Sequence, residues 1–192
     1  MPELLECLET IAERSPSIAN ICRFLAYSGW RVSDAMDLRW GEVEMAGPRA
    51  IGKQIDRDQI KTQDGLTYPV TPPIRACLET ALAGVDGRPK AADYVFLEAQ
   101  GSPWTYNALY RRLTRTLAAA NFPRQVSPHV FRTTFATLAA SSDPPVPPRV
   151  LQNLLGHRDL KDTLQYYTEV QLGDLARWSA HVSGQISGLK RI

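Results

Sequence analysis

The chain has 192 residues, with 22 Lys and Arg against 20 Asp and Glu and 44% apolar residues. That length supports one domain with a core of its own, or one domain and a small appendage. A net charge of +2 does not mark the whole chain as a polyanion binder. No apolar run approaches membrane-spanning length, and the acidic N-terminus lacks the apolar run of a signal peptide. Cys7, Cys22 and Cys77 are odd in number and irregular in spacing. They read as buried thiols of a reducing cytosol rather than a disulfide framework or a zinc site.

In chain order, Leu4, Leu5, Leu8, Ile11 and Ala12 make one helical face, and Ile18, Ile21, Cys22 and Leu25 another that Gly29 can end. Ser33 caps a short helix through Leu38. The run "RAIGKQIDRDQIKTQDGLTYPV" has no helical stripe. Its Asp64-Gly65 turn predicts a small antiparallel sheet. Pro72 and Pro73 open a helix bearing Ile74, Cys77, Leu78, Ala81 and Leu82, closed by Gly84. "YVFL" is extended or a buried turn. Thr105 caps an arginine-bearing helix to about Ala120. Ser127 and Pro128 start another helix. "SSDPPVPPR" is a stiff connector. A helix with Val150, Leu151, Leu154 and Leu155 follows, ended by Gly156. A further helix carries Tyr166 and Tyr167, and a last one begins near Leu172. The fold class is α+β, mainly α-helical with a small antiparallel sheet.

Charge is unevenly spread. Between Ala99 and Ser142 there is no acid, yet Arg111, Arg112, Arg115, Arg124 and Arg132 all lie there. Glu3, Glu6, Glu9 and Glu13 occupy the first helix. Such a layout can aim one face at a polyanion. It can equally be a solvated arginine face, or one that pairs with the acidic helix. His129 and Arg132 lie one helical turn apart at a helix start. Two nitrogen donors without a neighbouring carboxylate suit an anion brought from outside.

"YSGWRVSDAMDLRWGEV", "SPHVFRTTFAT" and "LLGHRDLKDTLQYYTEV" occur in that order. Singly they are only moderately specific. As an ordered set, closed by Leu-Gly-His and a tyrosine nine residues later, they resemble the catalytic domain of the tyrosine site-specific recombinases, the phage-integrase family. The resemblance runs from about Ile18 to Val170. It implies the catalytic set Arg31, Lys61, His129, Arg132, His157 and Tyr166, with Lys53 as the fallback for Lys61. Spacing from His157 favours Tyr166 over Tyr167. The family often has histidine where Thr133 stands. Family members usually carry a separate helical DNA-clamping domain ahead of this one, for which 192 residues leave no room. The expected organisation is therefore a catalytic domain over 1–192, with a C-terminal helical segment at 172–192.

The resemblance further implies transesterification of double-stranded DNA in the cytoplasm, at the nucleoid. The tyrosine would form a 3′-phosphotyrosyl link, and strands would rejoin without ATP, metal or other cofactor. Arg31, Arg132 and His157 would hold the phosphate, since guanidinium offers planar forked donors and a permanent charge. Lys61 would protonate the leaving oxygen, and His129 would assist Tyr166 or hold Arg132. Arg111, Arg112 and Arg115 would contact DNA backbone. The segment after Leu172 would dock on a neighbouring protomer, or on its own domain. A non-catalytic DNA-binding module with the same fold is the alternative.

Each residue also has an ordinary structural reading. Arg31 could stack on Trp30. His129 could bond a backbone group, and His157 could answer the dipole of the preceding helix. Tyr166 could be half-buried core, and Lys61 a solvated hairpin lysine. Their joint order favours the site.

Overall fold

The computed structural model describes residues 2–44, 51–53, 66–167, 179–180 and 183. Among them are the helices α1 (Pro2–Arg14), α2 (Pro16–Ser28), α3 (Val32–Met36), α4 (Pro72–Ala83), α5 (Tyr106–Ala119), α6 (Pro128–Ser141), α7 (Pro148–Leu155) and α8 (Lys161–Leu164), with a 3-10 turn at Trp40–Glu42. Two short strands, β1 (Ile51–Lys53) and β2 (Leu66–Tyr68), pair antiparallel with Ile51 opposite Tyr68. Asp64-Gly65 and Lys61 lie outside the described residues. So does the segment from Leu172, apart from Ser179, Ala180 and Ser183, which are helical.

The centre of the molecule is α2, which touches α1, α3, α4, α5 and α6. Ile18, Ala19, Ile21, Cys22, Phe24, Leu25, Ala26 and Ser28 are all buried on it. A helix that is apolar on nearly every side must be surrounded. At its C-terminal end Phe24 meets Trp30 edge-on at 5.5 Å, and Trp30 meets Tyr68 edge-on at 5.6 Å. The Tyr68 hydroxyl donates to Ser28 O at 2.7 Å, which ties β2 to the end of α2. Cys7, Cys22 and Cys77 are all buried free thiols in this core. Burial pushes the Cys7 and Cys77 thiols up to about 11.

A second, smaller cluster joins Ala136 on α6 to Leu151 and Leu155 on α7, with Phe135, Val146, Tyr166 and Tyr167 against it. Arg132 on α6 bridges the two clusters, bonding Gly29 O at the end of α2 and Leu155 O at the end of α7.

Local details differ from the sequence reading. Leu5 on α1 and Val150 on α7 are exposed, although their spacing matched the apolar stripes. Arg31, not Ser33, occupies the N-cap of α3. Ser127 stands at the N-cap of α6 without a side-chain capping bond, whereas the Thr105 side chain does cap α5 by accepting from Ala108 N. "YVFL" is an irregular buried segment in which Val95 N donates to Leu38 O. Tyr166 and Tyr167 lie in the turn after α8, not on a helix. A four-residue helix has little stability of its own, so tertiary contacts of the two tyrosines decide where it stops.

Candidate active site

Two helix ends build the site. Gly29 ends α2 in the left-handed region (φ 65°), its N–H bonded to Leu25 O. Gly156 ends α7 likewise (φ 61°), its N–H on Asn153 O and the next N–H, of His157, on Gln152 O. Both glycines adopt a turn that a Cβ disfavours. The second turn fixes His157 two residues beyond the end of α7. The buried Gln152 amide strengthens it by donating to His157 O and Arg158 O at 3.2 and 3.3 Å.

Helix C-termini carry partial negative charge and attract cations. Arg132 on α6 is 2% exposed. It donates to Gly29 O and to Leu155 O, both at 2.8 Å. Arg31, half-buried, donates to Gly156 O at 3.0 Å. The two guanidiniums thus share one end of α7. They lie close enough that Arg31 joins burial in lowering Arg132 to about 10. Tyr166, Asp34 and Tyr68 act in the opposite sense on Arg132. A carboxylate therefore does contribute to the pocket's field. On Arg132 it comes from Asp34 on α3, across the fold, and on His157 it comes from Asp162.

His157 Nδ1 lies 2.8 Å from Thr163 Oγ1. Its ring stacks on Tyr166, with centroids 6.4 Å apart and planes at 10°. Burial, then Arg132, then Arg31 hold the imidazole down to about 4. The ring is therefore neutral at pH 7 and can offer one N–H and one lone pair. The neighbouring tyrosine is occupied elsewhere: the Tyr167 hydroxyl donates to Val146 O, and burial raises its pKa.

Arg31, Arg132, His157 and Tyr166 are therefore brought together. His129 is one turn from Arg132 but at the exposed edge of α6. Its backbone carbonyl accepts from Thr133 Oγ1. The backbone of Lys53 closes β1 opposite Leu66. On α5, Arg111 and Arg115 are exposed, whereas Arg112 is partly buried. Its guanidinium donates to Ser17 Oγ at 2.9 Å and fastens α5 to α2. The acidic first helix pairs instead with Arg124, through Glu3 at 3.2 Å.

Sequence reasoning missed Thr163, which is 0% exposed and reaches into the site. It also missed the acceptor role of the two glycine carbonyls. The signal for the latter was present: a glycine stands two residues before Arg31 in "SGWR" and directly before His157 in "LGH". Among the described residues, no group of three or more His, Cys, Asp or Glu could hold a metal ion, and no helix is long and apolar enough to cross a membrane.

Residues 1–172 match the phage integrase family. The chain belongs to that family. Among relatives of this integrase-family chain, a tyrosine recombinase XerC of Ralstonia pickettii (strain 12J) is 29% identical over 138 residues, 72% of this chain and 40% of the relative. Tyrosine recombinase XerC 1 of Ralstonia nicotianae (strain ATCC BAA-1114 / GMI1000) is 36% identical over 96 residues, 50% of this chain and 28% of the relative. The chain thus spans less than half the length of these two curated relatives. The fold is that of the Tn1549 transposon integrase, solved in complex with a circular intermediate DNA. The TM-score is 0.74 at 20% identity, covering 92% of this chain and 63% of that one. The XerA recombinase is similar too, with a TM-score of 0.65 at 22% identity and coverage of 94% and 62%.

Proposed function

We propose that this chain cuts and rejoins double-stranded DNA site-specifically through a tyrosine-linked intermediate. The observation that carries the reading is the convergence of Arg31, Arg132 and His157 beside Tyr166. Three donors of fixed orientation suit the non-bridging oxygens of a phosphodiester, whose charge grows in the transition state. Tyr166 Oη gives up its proton, with His129 the proposed acceptor, and attacks phosphorus; the bond to the 5′-oxygen breaks, and a 3′-phosphotyrosyl ester forms. The leaving oxygen takes a proton, for which Lys61 is the proposed donor. The 5′-hydroxyl of a partner strand then attacks the ester, releasing Tyr166 and restoring a phosphodiester. One phosphoester replaces another at each step, so ATP is not consumed.

His129, at the exposed edge of α6, is proposed to assist Tyr166 once DNA covers it. Arg111 and Arg115 are proposed to meet the DNA backbone. Residues 172–192 are proposed to link protomers on DNA.

The test is a nicked duplex that traps the intermediate. The chain is expected to give a covalent protein–DNA band that Tyr166→Phe abolishes and Tyr167→Phe retains. A salt-sensitive shift without any covalent band would make the chain a DNA-binding module instead.

A further inference from the structure

We infer that Thr163 is the positioning residue for His157, its hydroxyl donating to Nδ1 so that the ring proton resides on Nε2 and faces the pocket of Arg31 and Arg132. This rests on the phosphate-pocket reading above. Thr163 is 0% exposed, so water does not reach its hydroxyl. Among the described residues, the one hydrogen-bond partner of Oγ1 is His157 Nδ1, at 2.8 Å. A buried hydroxyl left without an acceptor is costly. If the ring donated Nδ1–H to Oγ1, the hydroxyl proton would have no acceptor among the described residues. If the hydroxyl donates, its proton is satisfied and the neutral ring keeps its hydrogen on Nε2.

A cationic ring would carry a proton on Nδ1 as well and would again leave the hydroxyl proton without an acceptor among the described residues. Thr163 therefore works in the same direction as Arg132 and Arg31, which also disfavour the imidazolium, and against Asp162, which favours it. The same residue reaches the nucleophile through its backbone, since Tyr166 N donates to Thr163 O at 3.1 Å. One threonine thus orients the neutral donor and seats the tyrosine beside it.

The deciding measurement is long-range 1H–15N NMR of the histidine rings of the full chain at pH 7. Three histidines are present, and His157→Asn assigns the signal. An Nε2–H tautomer at His157 is expected. An Nδ1–H tautomer or an imidazolium would overturn the inference, whatever any variant does. In the nicked-duplex assay, Thr163→Val is expected to slow covalent-adduct formation about tenfold to a hundredfold, the loss of one oriented hydrogen bond. Thr163→Ser should restore most of the rate. Wild-type speed in Thr163→Val would sink the inference. If the wild-type chain forms no adduct at all, the strand-transfer reading fails, while the tautomer still decides the role of Thr163.

Discussion

Arg31 and Arg132 donate to adjacent carbonyls of one helix end, Gly156 O at 3.0 Å and Leu155 O at 2.8 Å. They come from different helix starts, so α7 is what sets their spacing. Lysine carries its donors on one nitrogen and cannot hold such a carbonyl while presenting a planar fork to a phosphate. Arg31→Lys and Arg132→Lys should each lower the single-turnover rate of adduct formation by about 10²–10³-fold. Unchanged rates in both would remove the pocket from the reaction.

Gly29 is fixed by more than its turn. A Cβ there would lie 2.4 Å from Phe135 Cδ1, on a backbone at φ +65°. Gly29→Ala should cost about 2–4 kcal/mol in denaturant unfolding, from left-handed strain together with overpacking. Adding Phe135→Ala should not restore wild-type stability, because the strain persists. Full recovery in the double variant would mean that the clash alone constrains this position.

The arginines of α5 should divide by role. Arg111→Ala and Arg115→Ala are expected to weaken DNA binding and each reduce the slope of log affinity against log salt by about 1. Arg112→Ala should leave that slope alone and lower stability by about 1 kcal/mol, through loss of its bond to Ser17. Equal salt effects at all three positions would contradict this division.

His157 should make the fold sensitive to acid. Its folded value, about 4, lies below the ordinary 6.5 because of burial, Arg132 and Arg31. The unfolded chain therefore binds more protons between those two values, and stability falls as pH drops from about 6.5 to about 4. Above that window His157 is neutral in both states and adds no slope. His157→Asn should flatten the fall, measured as unfolding free energy against pH; an unchanged profile would show that other groups set it.

The residues that converge were legible in the sequence because local signals carried them. A glycine that must end a helix stood two residues before Arg31 and directly before His157, so each motif encoded a turn and a nitrogen donor together. Arg132 was legible from its place on a helix start. Its burial was not, because that depends on carbonyls supplied by α2 and α7 across the fold. Helical spacing suggested that His129 and Arg132 share a face. The packing of α6 separates them, with Arg132 buried and His129 exposed. Arg112 and Thr163 escaped for the same reason: an arginine in a basic run and a threonine in a polar run look solvated until tertiary partners appear. The helix expected at Tyr166 stopped at Leu164, since contacts to His157 and Val146 hold the two tyrosines in a turn.

The seats of the two guanidiniums are main-chain oxygens, and no side-chain replacement can delete an oxygen of the main chain. Mutational drift can disturb these seats only by bending the chain, at the last turn of α2 or of α7. On the proposed reaction, variants that stay folded yet form no covalent adduct should therefore map to those two bends as well as to the cations themselves.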